Sequence, residues 1–422
     1  MHELKSTTPG LPAREKVRTP VRGTAIFPWT HSRSLDIDLT RYSSSVSRTN
    51  RCLVLLPLAL LFAAPAVSPL LAAQDATATN SVMTLPDAVA AASVLIDDFI
   101  DSGATPGIAV SVGRDGHILW HDGFGFADLE QRVPIWPELT LFRVGSVAKP
   151  MTALAVAQLY EKGALDLDAP VQTYVPSFPE KPWPVTTRLA AGHLAGIRHY
   201  VDDEFFSNRP YASVLDGLTI FANDTLLFEP GTRFFYTTYG WSLVSAVVEG
   251  ASAQDFLTYM GEHVFKPLGM HHTAADLVRP IILHRSRYYE SDSLRGFLNS
   301  LPVDNSHKWA GGGFLSTADD LVRFGFEHLR PTTIAPETVE LLWTSQQTTA
   351  GESTNYGIGW ASGVDDEGRR WAGHTGGSIG GSTFFRIYPD SGIVVAVIAN
   401  ASAVNYQGLP VRIAELFMRM DN

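Results

Sequence analysis

Apolar segments of strand length stand near the two ends of the folding part of the chain, with helix-like sequence between them. Near the front, GIAVSVG and HILWHDGFG flank Arg114-Asp115-Gly116. A turn-forming triplet between two apolar runs predicts a β-hairpin. Near the back, STFFRIYP and IVVAVIAN flank Asp390-Ser391-Gly392 and predict a second hairpin. The middle, from about 147 to 345, reads as mostly helical, with long loops rich in Pro, Gly and aromatics. Residues 85–103 carry apolar side chains at helical spacing, with Pro86 where a first turn tolerates it and Gly103 as a stop. VRIAELFMRM closes the chain as an amphipathic helix. The economical arrangement is one antiparallel sheet built from both termini and covered by the first and last helices. This predicts an α+β fold: an α/β sandwich lobe from about 85–145 and 350–422, and an all-helical lobe from about 146–349. Ligand sites commonly occupy the cleft at such a junction.

Charge and cysteine usage exclude several classes. A net charge of −11 over 422 residues leaves no basic patch for phosphate backbones, so a nucleic-acid surface is not expected. The single Cys52 rules out an intramolecular disulfide framework and a thiolate metal cluster. Residues 1–47 are rich in Ser, Thr, Arg and Pro without apolar period and cannot bury a core. Arg48 and Arg51 then precede the apolar block 53–73, which small residues follow, the three-part layout of a secretory signal with cleavage near Ala73. The same block is just long enough for an uncleaved membrane tether, although Pro57, Pro65 and Pro69 fit a regular spanning helix poorly. The expected organisation is therefore a leader with signal or anchor over 1–73, a linker over 74–84, and one folded domain over 85–422. An exported protein, periplasmic or secreted, is expected. An acid-poor, Arg- and Ser-rich leader also fits an organelle transit peptide, with a mitochondrial destination as the alternative.

Three short signatures carry the chemistry. RVGSVAKPMTAL places Ser146 and Lys149 three residues apart at the start of an apolar helix, where the two side chains share a face. A helix N-terminus also favours the negative charge of an alkoxide or oxyanion. PGTRFFYTT follows at 230–238, and GHTGG at 373–377 comes directly before the predicted strand STFFRIYP. A lone Ser-x-x-Lys is weak. The ordered set of Ser-x-x-Lys, then Tyr236, then His374-Thr375-Gly376 resembles the serine β-lactamase and penicillin-binding-protein superfamily, nearest its class C-like branch. VTTRLAAGHLAGIRHY and SHKWAGGGFLSTADDLVRFG look still more like LACTB-type serine β-lactamase-like proteins. The likeness runs from about Pro106 to the final helix.

The resemblance implies a β-lactamase/transpeptidase-like fold and an acyl-enzyme hydrolase that needs no cofactor and no metal. Ser146 would be the nucleophile, with Lys149 and Tyr236 supplying the base that a neutral hydroxyl requires. A neighbouring ammonium would lower the phenol's pKa. The backbone N–H groups of Ser146 and Gly377 would form the oxyanion hole, with His374, Thr375, Gly376 and Thr238 lining the substrate. Amide substrates, peptides or D-Ala-D-Ala-like, come first; a weak β-lactamase, a carboxylesterase of the same fold, or a slack peptide- or peptidoglycan-binding scaffold are the alternatives. Two departures bear on substrate. His374 stands where class C enzymes carry lysine, and Thr238 stands where the family usually has asparagine. Both weigh against efficient penicillin hydrolysis. GHLAGI also lacks the serine that commonly precedes its Gly196.

Plainer readings exist for single residues. Tyr236 alone would be a packed aromatic, and His374 a surface histidine ahead of a strand. Thr317 and Ser316, with Asp319 and Asp320 following, predict a helix cap. Gly311, Gly312 and Gly313 predict close backbone approach at the cleft rim. GGSIG at 376–380 matches a nucleophile elbow centred on Ser378. That chemistry requires a later histidine, and His374 is the last in the chain. His117 and His121 fall in a predicted strand, too far apart to share an ion.

Overall fold

The structure, a computed structural model, describes residues 82–420. The leader, the apolar block 53–73 and Cys52 lie outside the described residues. Among the described residues, no helix is long and apolar enough to cross a membrane.

Helix α1 (Leu85–Asp101) starts at the Thr84 cap, whose hydroxyl accepts the Asp87 N–H, and Gly103 follows it at φ +76°. Strands β1 (Gly107–Arg114) and β2 (His117–Asp128) form the first expected hairpin. Asp115 and Gly116 take positive φ in its turn, as a two-residue hairpin loop requires. After the short β3 (Val133–Pro134), the sheet resumes in the last third of the chain with β4 (Ala361–Val364), β5 (Arg370–Ser378), β6 (Gly381–Tyr388) and β7 (Ile393–Ala399). The order across the sheet is β3-β2-β1-β7-β6-β5-β4, and neighbouring strands are antiparallel. The two termini meet in the β1–β7 pair, where Ile108 faces Ala399 and Val112 faces Val395.

Both central strands are buried along their whole length, which is why their sequences are continuous apolar runs rather than alternating ones. One sheet face packs Ile108, Val110, Val395 and Val397 against Ala92 and Ile96 of α1, and against Ile413 and Phe417 of the last helix (Leu409–Met418). The other face packs Ala109, Val394, Ala396 and Ile398 against the helical region.

Helices α2 (Ala148–Glu161) and α3 (Thr238–Ser252) pack together at the centre of that region. Every residue of α2 from Ala148 to Leu159 is buried, as expected of a helix that is apolar all round. The region is not all-helical. Phe314–Ser316 pairs with Phe142–Arg143 on one side and Ala274–Ala275 on the other, and Tyr289–Asp292 pairs with Gly296–Asn299. These strands of two to four residues are too short to leave a periodic sequence signal. GHTGG does precede the expected strand, β6, and is itself part of a further strand, β5, that its sequence did not announce.

Candidate active site

Ser146 lies in a single 3-10 turn, Gly145–Val147, that runs straight into α2. The first N–H groups of such a helical run have no intrahelical acceptor, so they are free to bind developing negative charge. Ser146 remains partly accessible, whereas the residues around it are buried. One turn later Lys149 is fully buried. Its Nζ lies 2.9 Å from Ser146 Oγ and donates to the Gly311 carbonyl at 2.8 Å. Gly311 belongs to the short helix Trp309–Gly312, where a Cβ would come within 2.6 Å of the Thr238 methyl. The close approach expected of the glycine run is thus what brings an acceptor to the lysine.

Burial, aided by the positive charge of Lys308, drives the Lys149 pKa well below that of a free lysine. No acidic side chain forms an ion pair with Lys149 among the described residues. Glu204 is committed to Arg198 at 2.7 and 2.9 Å, to the Tyr239 hydroxyl and to the Val201 N–H.

Tyr236 immediately precedes Thr237, the N-cap of α3. The Thr237 hydroxyl accepts from Tyr239 N and donates to the Arg198 carbonyl, which fixes the chain entering the helix. The Tyr236 ring centroid lies 4.8 Å from Lys149 Nζ, and the ring lies 4.2 Å from that of His193. His193 Nδ1 in turn accepts the Thr237 N–H. Burial pushes the Tyr236 phenol well above the usual tyrosine range, and hydrogen bonding from Ser146 offsets part of the rise. This reverses the expected titration. A phenol raised by burial, beside a lysine whose own pKa burial lowers, is not the ammonium-stabilised phenolate that was expected.

The GHTGG strand approaches from the other lobe. A Cβ on Gly376 would fall 1.9 Å from the Val144 carbonyl oxygen. A Cβ on Gly145, at φ +52°, would fall 2.7–2.9 Å from the backbone of Gly377. Two glycines therefore let β5 run directly against the segment that delivers Ser146, and bring the Gly377 peptide beside the nucleophile. Gly377 itself is exposed, with open space where its Cβ would stand. Thr375 is exposed on the same strand, while His374 is buried.

His374 Nδ1 bonds the Thr375 carbonyl, so that nitrogen carries the proton, and Nε2 accepts the Tyr356 hydroxyl at 2.9 Å. Burial and the neighbouring Lys149 bring its pKa down to about 3, against a smaller opposing effect of the Thr375 carbonyl. The expected basic residue is therefore an uncharged ring with both nitrogens engaged. Thr238 is also buried, with its methyl toward Gly311. It does not present itself to the cleft as an open polar group.

A cavity of about 340 Å³ adjoins the cluster, lined by Tyr236, Tyr356, His374, Thr375, Phe384 and Arg386 among others. Beyond Gly373 the outer edge of β5 has no partner among the described strands, because β4 pairs only with Arg370–Gly373. Tyr356, His193 and Tyr200 were not expected as site residues. His193 and Tyr200 fall in VTTRLAAGHLAGIRHY, which carries the resemblance, and Tyr356 opens the segment YGIGW, yet nothing in spacing assigns any of them a role. The capping reading holds: Thr317 Oγ1 accepts the Asp320 N–H. His121 is paired with Asp319 at 2.8 Å.

Comparison with known proteins agrees with this geometry. The sequence profile of the Beta-lactamase family matches residues 93–416. The chain is 32% identical to the mitochondrial serine beta-lactamase-like protein LACTB of Homo sapiens, over 74% of this chain and 77% of that one. It is 27% identical to penicillin-binding protein 4* of Bacillus subtilis, over 69% of this chain and 67% of the relative. Among solved structures, the octameric penicillin-binding protein homologue from Pyrococcus abyssi superposes with a TM-score of 0.69 at 26% identity, covering 79% of this chain and 78% of that one. With a serine–lysine helix, a tyrosine loop and a His-Thr-Gly strand gathered on one cleft, the chain belongs to the beta-lactamase family of serine hydrolases and is similar to its LACTB-type and penicillin-binding members.

Proposed function

We propose that the protein is an acyl-enzyme serine hydrolase acting on amide bonds, peptides first, with Lys149 in its neutral form as general base. The observation that carries this is a fully buried lysine amine, 2.9 Å from Ser146 Oγ, with a carbonyl rather than a carboxylate as its other partner. A buried amine without a counter-ion favours its uncharged form, whose lone pair accepts the serine proton. As Ser146 attacks, Lys149 becomes an ammonium held by the Gly311 carbonyl and by the face of the Tyr236 ring. The Ser146 and Gly377 N–H groups receive the oxyanion, at about 3 kcal/mol per donor. Tyr236, still carrying its proton, hands it to the leaving nitrogen and is reprotonated from Lys149. Water then repeats the sequence on the ester.

His374 brings no charge to this reaction. With Tyr356 it holds the Thr375 carbonyl and the strand orientation, so a substrate is gripped by the free edge of β5 rather than by a cation at position 374. This supports neutral amides over substrates defined by a terminal carboxylate at that point. Export through the 48–73 segment is part of the same proposal.

The test is covalent labelling. A fluorophosphonate or fluorescent penicillin should label the wild type and not Ser146→Ala. A folded wild type that resists both reagents would leave a binding scaffold as the better description.

A further inference from the structure

The cavity beside Tyr236 bends around the free edge of β5 and reaches both faces of the sheet. Across the β5–β6 ladder Thr375 faces Phe384, and Gly373 faces Arg386. Side chains alternate along a strand, so Trp371 and Thr375 share one face with Phe384 and Arg386. His374 turns to the other face, where the Tyr356 hydroxyl meets it and the Tyr236 ring stands 6.2 Å away. The edge is open between them because the pairing of β4 stops at Gly373. Residues from both faces line the same space of about 340 Å³.

Arg386 is the charged member of that lining. Its guanidinium carbon lies 4.0 Å from the ring centroid of Trp371 and 5.0 Å from that of Phe384, and all three residues are half-buried. It donates to the Tyr388 hydroxyl at 3.3 Å and pairs with no carboxylate among the described residues. Arg143, Arg188, Arg198 and Arg369 differ, each meeting a carboxylate at 2.7 Å or closer. A guanidinium is planar and weakly hydrated, so it lies flat on aromatic faces and extends them.

Two observations decide which end of a substrate passes this cavity. Tyr236, which in the proposed mechanism protonates the leaving nitrogen, forms its inner wall. Neighbouring strands of the sheet are antiparallel, so a peptide added to the free edge runs from the Gly377 end toward the Gly373 end. With the scissile carbonyl held at Gly377, the portion C-terminal to it crosses the cavity.

We propose that Trp371, Phe384 and Arg386 form a leaving-group subsite that takes an aromatic side chain on the amine released from the acyl-enzyme. This rests on the hydrolase reading and adds specificity on its departing side. A carboxylate would occupy only the guanidinium and leave the apolar wall to water. An aromatic ring covers that wall and stacks with the arginine as well. A site that releases an amine also admits one. The amine nitrogen attacks the ester carbon of acyl-Ser146, the C–N bond forms and the C–O bond to Ser146 Oγ breaks. The proton lost by the nitrogen returns to Oγ through Lys149 and Tyr236.

The test intercepts the acyl-enzyme with the acyl group held constant. The wild type receives p-nitrophenyl acetate with racemic phenylalaninamide or racemic alaninamide at equal concentration. Mass spectrometry gives the ratio of N-acetyl amide to acetate, counting only product that Ser146→Ala does not form. Because the ratio is read within each variant, a general loss of activity leaves it unmoved. Phenylalaninamide should capture a share about tenfold larger than alaninamide, or more. Arg386→Ala should bring that advantage within about threefold, and so should Arg386→Lys, which keeps the charge and loses the plane. Equal capture of the two amines by the wild type would overturn the subsite, as would a preference that survives Arg386→Ala. A larger share for free phenylalanine than for its amide, kept in Arg386→Lys, would overturn it in favour of carboxylate binding. Ser146-dependent acetate without any amide product would sink the subsite and leave the hydrolase standing. No Ser146-dependent acetate would count against both. Should Arg386→Ala melt at a markedly lower temperature, Phe384→Leu with the same pair of amines decides.

Discussion

At the level of single side chains, the site depends on what burial does to Lys149 and Tyr236. An arginine at 149 would stay charged under any burial and could not take a proton. Lys149→Arg should therefore lower kcat at least 10³-fold, as Lys149→Met should, with KM little changed. A retained activity in the arginine variant would dismiss the neutral-amine base. Tyr236→Phe removes the proton that reaches the leaving group but keeps the ring beneath Lys149. The expected loss is about 10²-fold on amides and distinctly less on p-nitrophenyl esters, whose leaving group needs no proton. Equal losses on both substrates would assign the tyrosine to packing. Both residue types were legible in sequence because the resemblance named them. Their protonation states were not, since these follow from the surrounding protein and not from spacing.

At the level of elements, β5 shows sequence and structure at odds for a physical reason. Gly373-His374-Thr375-Gly376-Gly377 has little intrinsic strand preference and reads as a loop. Register against β6, where Gly376 faces Thr383 and Gly377 faces Ser382, imposes the strand. Its glycines serve proximity instead of flexibility, and the two differ. Gly376→Ala puts a methyl 1.9 Å from the Val144 carbonyl oxygen, so the segment carrying Ser146 must shift. Gly377→Ala meets nothing within 4 Å. The first variant should lose several degrees in Tm and nearly all activity. The second should fold normally and lose activity only through crowding of the cleft. Matching Tm and kcat/KM values in the two variants would contradict this placement of β5.

At the level of the whole molecule, four buried histidines and the half-buried His199 among the described residues are held neutral, each chiefly by burial. His193 is held well below the ordinary imidazole value, His199 and His328 at about 4, and His307 and His374 at about 3. A group whose folded pKa is depressed favours the unfolded state once pH falls below its unfolded value. Stability from these groups is therefore complete above about pH 6.5 and is lost progressively toward pH 3. Unfolding near pH 5.5 should take up about four protons from histidine alone, measured by calorimetry in buffers of different ionisation enthalpy. Uptake below one proton would mean that these rings are already charged in the folded protein.

The sequence by itself determined the sheet built from both termini, its two hairpins, the covering helices and the order of the three signatures. Those features come from local turn chemistry and apolar period, which act over a few residues. Tertiary structure alone decided the strand at 373–377, the short strands within the helical region and the neutral His374. Each of these depends on which distant backbone or charge comes to lie alongside, and on how much water is excluded, and neither quantity is encoded within a short stretch of chain.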